Sequence, residues 1–116
     1  MSDYADRVDA GDYTPQQVAE LLGENEIQLI DVRELDENQA GRIAGGRLIQ
    51  LGDLAAQVDS IDRDRAVVFY CRTGARSAMA TTAFRQAGFD AHNMTGGLVE
   101  WQAAGLPLEP ADGHVA

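Results

Sequence analysis

The sequence predicts a single α/β domain built on a mainly parallel sheet. Short apolar runs alternate with stretches of helical character, and few residues separate them. The clearest run, residues 66–70, is β-branched and aromatic with no charge, which marks it as a strand. A chain of 116 residues with 45% hydrophobic content can close one core.

Residues 1–12 carry four aspartates and no periodicity, so they are expected to form a flexible lead-in to a domain over 13–109. Thr14 followed by Pro15 reads as an N-cap and first helical residue, with Val18, Leu21 and Leu22 as the apolar stripe and Gly23 as the stop. Residues 27–32 suit a buried strand, residues 34–41 a short helix and residues 47–50 a weaker strand. Leu54, Val58 and Ile61 fall at helical spacing behind Asp53, a possible cap. After the strand at 66–70 comes a cysteine-containing loop, then a helix over 76–87 closed by Gly88. Residues 89–94 read as a further strand, Gly96-Gly97 as a turn and residues 98–104 as a last helix. Met79, Met94 and Trp101 read as core, and residues 110–116 as a disordered tail.

Nineteen acidic residues against nine basic ones set a net charge of −10, a field that repels nucleic-acid phosphates. No segment approaches the roughly 20 apolar residues of a membrane span, and the acidic N-terminus does not resemble a signal peptide. Neither a nucleic acid nor a membrane is therefore an expected partner. The one cysteine, Cys71, cannot form an internal disulfide, and a free thiol fits a reducing, cytoplasmic compartment. Residues 66–89 carry Arg72, Arg76 and Arg85 and no acidic residue. On charge alone that gap is as well explained by chance as by an anion site.

Position separates the two readings. Ligands in open parallel sheets bind at the carboxyl ends of strands, and Cys71 directly follows the most hydrophobic run. In the loop Cys71-Arg72-Thr73-Gly74-Ala75-Arg76-Ser77, glycine gives backbone freedom, and the following helix start allows successive N–H groups to converge on an anion. A lone cysteine is by default a small buried hydrophobe, but that role has no use for neighbouring cations. Helix N-termini and arginines favour the thiolate, the nucleophilic form of cysteine. If Cys71 is already ionised no general base is needed, which leaves His92 as a sheet-edge residue and His114 as a tail residue. Asp31 and Arg33 end the first strand and either brace the loop by hydrogen bonds or form an ordinary strand-end pair.

The stretch from residue 28 to 109 resembles the rhodanese domain, most closely its single-domain form. Tyr70-Cys71-Arg72-Thr73-Gly74-Ala75-Arg76-Ser77 is similar to the family's active-site loop. Supporting elements are Leu29-Ile30-Asp31-Val32-Arg33, Ala87-Gly88-Phe89-Asp90, Gly96-Gly97 before Trp101, and Ala104-Gly105-Leu106-Pro107. The resemblance implies a central sheet of four to five strands with helices on both faces. It also implies a sulfurtransferase in which Cys71 takes a sulfane sulfur from thiosulfate or a similar small anionic donor, as a persulfide, and passes it to a thiol or protein acceptor. Residues 72–77 would hold the donor, with no metal or cofactor involved. Asn38, Arg42 and Ala44 depart from the family pattern, at positions where an aromatic residue, histidine and proline are common. A phosphatase or arsenate reductase loop would need five residues between cysteine and arginine, and here only the four residues 72–75 intervene. A purely protein-binding module is expected to lose the cysteine or the loop arginines. A carrier delivering persulfide sulfur to a partner remains an alternative.

All nine basic residues are arginine and none is lysine, which points to selection on the whole surface, in a high-salt interior or under GC-rich coding. The high-salt origin predicts a melting midpoint that rises toward molar potassium chloride, and a midpoint that stays flat in such a series argues against it.

Overall fold

The computed structural model describes residues 11–116. Four strands, β1 (Ile27–Asp31), β2 (Arg47–Leu48), β3 (Ala66–Tyr70) and β4 (Ala91–Asn93), form one parallel sheet in the order β2-β1-β3-β4. Five helices connect and cover them: α1 (Pro15–Gly23), α2 (Leu35–Ala40), α3 (Leu54–Gln57), α4 (Ala75–Gln86) and α5 (Gly97–Ala103).

The alternation of side chains along β3 explains its uninterrupted apolar run. Val67 and Phe69 point into a cluster with Ile30, Val32, Leu54, Ala80 and Phe84, under α3 and α4. Val68 and Tyr70 point into a second cluster with Leu29, Val18, Leu98 and Trp101, under α1 and α5. Each residue from Val67 to Tyr70 therefore loses its contact with water to one helical layer or the other. The expectation of helices on both faces holds.

Local chemistry accounts for the first helix. Thr14 Oγ1 accepts from Gln17 N at 3.2 Å while the Gln17 side chain accepts from Thr14 N at 2.9 Å, a reciprocal capping box ahead of Pro15. The stretch after Asp53 differs from its expectation. It is broken into a 3-10 turn (Leu51–Asp53), α3 and a second 3-10 turn (Val58–Ser60). Asp53 makes no side-chain cap because its backbone is already in the helical region, not the extended one that capping needs. Met79 is also corrected: it is 64% exposed, because α4 turns Ser77, Ala80, Thr81 and Phe84 inward and carries Met79 to the other side.

The expected lead-in falls on residues 1–10, outside the described residues, and on Gly11 and Asp12. Gly11 O lies 2.6 Å from His92 Nδ1 and also accepts from Arg85, and Asp12 accepts from Asn93 N at 3.1 Å. Residues 110–116, whose composition suggests a disordered tail, take a defined course across the domain. Arg42 and Glu109 exchange two backbone hydrogen bonds, at 3.0 and 2.8 Å, and His114 N donates to Ala40 O at 2.9 Å. Val115 packs against the cluster under α1 and α5. These partners lie some 70 residues away along the chain, so the local composition of the tail carries no trace of them.

The register of β1 against β3 places Asp31 opposite Tyr70, so the segments after both strands emerge side by side at one edge of the sheet. Phe69 anchors that edge from below, fully buried between Phe84 and the sheet. Phe69→Ala should cost about 3–5 kcal/mol, measured as a lowered midpoint in urea unfolding.

Candidate active site

Cys71 is the first residue after β3 and is 1% exposed. Two features hold its backbone. Leu98 N and Val99 N, at the start of α5, donate to Cys71 O at 2.9 Å and to Arg72 O at 3.1 Å. A side chain at position 97 would meet Arg72 O at 2.5 Å, so this approach of helix to loop depends on Gly97. The loop then turns into α4 at Gly74, whose φ of 107° is open to glycine and strained for other residues.

That turn aims donors at the sulfur. Gly74 N lies 3.1 Å and Ser77 N 3.5 Å from Cys71 Sγ, and the Ser77 hydroxyl oxygen lies at 3.3 Å. Burial pushes the thiol up. The backbone N–H groups of Ser77, Gly74 and Thr73 favour the thiolate, and with the Ser77 hydroxyl proton turned to the sulfur as well the thiol sits below its ordinary value. The loop thus forms an anion cradle centred on one sulfur atom.

The two loop arginines are both engaged. Arg76 forms a bidentate pair with Glu37 of α2, at 2.8 and 2.9 Å. Arg72 Nε donates to Ala116 O at 3.1 Å. The Arg76 guanidinium holds the Glu37 carboxyl at about 2, against an ordinary 4.5, helped by the Glu34 N–H and opposed by burial. Glu37 in turn holds Arg76 above its ordinary value. Arg76 therefore ties the loop to α2 as well as bringing positive charge near the sulfur.

Asp31 and Arg33 form a buried bidentate pair, with the Arg33 Nη2 to Asp31 Oδ2 contact at 2.7 Å and Nε at 2.9 Å from Oδ1. Burial lowers the Arg33 guanidinium, and Asp31 outweighs that effect and keeps it charged. Arg33 also donates to Gly41 O at 2.7 Å, and Asn38 Nδ2 donates to Asp31 at 3.0 Å. Among the described residues neither side chain bonds to residues 71–77 directly. They fasten the α2 segment to the end of β1, and α2 carries Glu37, so their support of the loop is one step removed. Asn38 serves this node. Arg42 points its charge at Glu109, at 3.1 Å. Ala44 lines an apolar groove of 570 Å³ with Ala19, Leu22, Trp101 and Leu108, which includes no residue of the loop.

Two site residues escaped the sequence reading. Glu37 lies in an acidic stretch where nothing distinguishes it. Asn93, on β4, places Oδ1 2.6 Å from Ser77 Oγ and Nδ2 3.3 Å from Gly74 O. Its one signal is that a buried amide sits in a run otherwise read as an ordinary strand. His92 is sandwiched between Gly11 O and Asp90, stacked on Tyr13, and makes no contact with Cys71.

Comparison with known proteins matches residues 14–104 to the rhodanese-like domain. The chain is 34% identical to a putative sulfurtransferase of Bacillus subtilis, over 75% of this chain and 84% of the relative. It is 33% identical to the thiosulfate sulfurtransferase GlpE of Pseudomonas aeruginosa, over 98% of each chain. It is also 40% identical to part of an HTH-type transcriptional regulator of Mycobacterium tuberculosis, over 78% of this chain, and spans only 42% of that protein's length. Among solved structures, a rhodanese-related protein from Thermoplasma volcanium superposes with a TM-score of 0.78 at 27% identity, covering 84% of this chain and 95% of that one.

Because Glu37 titrates from an ordinary 4.5 down to about 2 in the fold, its pair with Arg76 stabilises the protein fully above pH 4.5, and that contribution is lost as pH falls toward 2. Glu37→Gln should flatten this acid limb of the urea midpoint plotted against pH, whereas an unchanged slope would show that the pair adds no stability.

Proposed function

The chain belongs to the rhodanese-like domain family, and from that premise we propose that it is a sulfurtransferase working through a Cys71 persulfide. The observation that carries this reading is the convergence of Gly74 N–H and Ser77 N–H on the Cys71 sulfur at the start of α4. Such a cradle favours a sulfur anion before transfer, and would favour the anionic persulfide after it.

The chemistry balances without an external oxidant. The Cys71 thiolate attacks the outer, sulfane sulfur of thiosulfate and a new sulfur–sulfur bond forms to Sγ. The bond between the sulfane sulfur and the sulfonate breaks, and sulfite leaves with its electron pair. A thiophilic acceptor, cyanide or a small or protein thiol, then attacks the outer sulfur and returns Cys71 as thiolate. Thiosulfate is taken as the donor because a relative matched over 98% of this chain carries that activity in its name. Two features favour a small donor: Cys71 is 1% exposed, and only the four residues 72–75 separate it from Arg76. Both suit a terminal sulfur atom better than a phosphoryl group.

Intact mass after incubation with thiosulfate should show one added sulfur on the wild type, removed by cyanide or dithiothreitol and absent from Cys71→Ser. No adduct on the wild type, or an equal one on the variant, overturns the reading.

A further inference from the structure

The Ser77 hydroxyl has one proton and three acceptors near it. Its oxygen lies 2.6 Å from Asn93 Oδ1, 3.2 Å from Gly74 O and 3.3 Å from Cys71 Sγ. A hydroxyl donates once, so the proton cannot serve the sulfur and the amide together. Asn93 settles the competition through its other end. Its Nδ2 faces Gly74 O at 3.3 Å, and since a carbonyl only accepts, the amide oxygen is the end turned to Ser77. Two oxygens 2.6 Å apart attract only with a proton between them, and the Asn93 oxygen has none to give.

We infer that Asn93 holds the Ser77 proton, so that the hydroxyl meets the Cys71 sulfur with a lone pair and Asn93 restrains the ionisation of Cys71. Asn93 is on this account a positioning residue of the sulfur site. In the thiol form the bonds run in one direction, from S–H to the Ser77 oxygen and from the Ser77 O–H to the Asn93 oxygen. When the thiol loses its proton to solvent, the N–H groups of Gly74 and Ser77 stay on the sulfur. The hydroxyl joins them only if the Asn93 amide turns over, offering Nδ2 to Ser77 and giving up its bond to Gly74 O.

The amide is well placed to act this way. Asn93 is 8% exposed, and its backbone is held by Asp12 on one side, at 3.1 Å, and by Tyr13 N on the other, at 3.0 Å. The consequence for transfer is kinetic. The nucleophilicity of a thiolate falls as its thiol becomes more acidic, and attack is fastest when the acidity lies near the working pH. A free hydroxyl added to the cradle of backbone donors would lower the thiol further, and Asn93 opposes that shift.

The inference rests on Cys71 being the reacting thiol of the proposed function, but it can be read from ionisation without any sulfur transfer. Cys71 is the sole cysteine, so the rate of alkylation by iodoacetamide against pH reports its ionisation alone. The charged and titratable groups on the surrounding elements are Asp31 at the end of β1 and Arg33 beyond it, Glu37 on α2, Tyr70 at the end of β3, Arg72 in the loop, Arg76 on α4, His92 on β4 and Asp12 beside it. None of them is altered in the variants.

Asn93→Ala should lower the midpoint by about one pH unit, the worth of one released hydrogen bond to a charged group. Asn93→Leu, which keeps the buried volume and lacks the acceptor, should do the same and serves if the alanine variant fails to fold. Ser77→Ala should leave the midpoint unchanged or lower in the wild-type background, and raise it in the Asn93→Ala background. A midpoint that stays or rises in both Asn93 variants overturns the inference, as does a Ser77→Ala rise of equal size in both backgrounds. If the midpoints move as expected while thiosulfate leaves no adduct, the donor and transfer reading fails and the role of Asn93 stands.

Discussion

Parallel pairing of β3 with β1 is the constraint on which the rest of the molecule depends. Once Asp31 stands opposite Tyr70, the chain after β1 and the chain after β3 must leave the sheet side by side. One carries the Asp31–Arg33 pair and α2, and the other carries Cys71 and α4. The contact between Glu37 and Arg76, 39 residues apart in sequence, follows from that adjacency.

The edge so formed carries two buried charges, Asp31 and Arg33. Asp31 and Arg33 are 1% and 0% exposed, and a buried ion pair stabilises a fold only where its remaining hydrogen-bonding capacity is satisfied. Asp31 is well satisfied, by the Arg33 side chain, by the Arg33 backbone N–H and by Asn38. Arg33 shares Nη2 between Asp31 and Gly41, and its Nη1 has no partner among the described residues. The gain is geometric: an end of β1 with one arrangement, which holds α2 where Glu37 reaches the loop. Asparagine at 38 fits this arrangement, because its amide Nδ2 donates to Asp31 at 3.0 Å, a bond that a phenyl ring could not supply.

Around the sulfur the donors divide by how firmly they are held. The N–H groups of Gly74 and Ser77 are set by the backbone turn, which α5 clamps through Leu98 and Val99. The Ser77 hydroxyl is free to rotate, and its direction depends on a neighbour from β4. A site with both kinds of donor has a fixed part that makes a sulfur anion possible and an adjustable part that sets how readily it forms. Both parts come together at the carboxyl end of the sheet, where strands and helix starts meet.

The sequence by itself determined the strands, the longer helices and the place of the sulfur. These rest on local physics: a charge-free β-branched run at Ala66–Tyr70, a cap at Thr14, and a glycine between Cys71 and a helix start. Local patterns succeed there because periodicity and backbone freedom act over a few neighbouring residues. They fail at Met79, whose side of the helix depends on which face the sheet covers, and they give no sign of the partner that His114 finds at Ala40, distant in sequence. Only the tertiary structure decided the partners of the loop. Glu37 and Asn93 look like any acidic helix residue and any strand amide until the sheet order brings one beside Arg76 and the other beside Ser77. A hydrogen bond between residues far apart in sequence leaves no mark on the composition around either one.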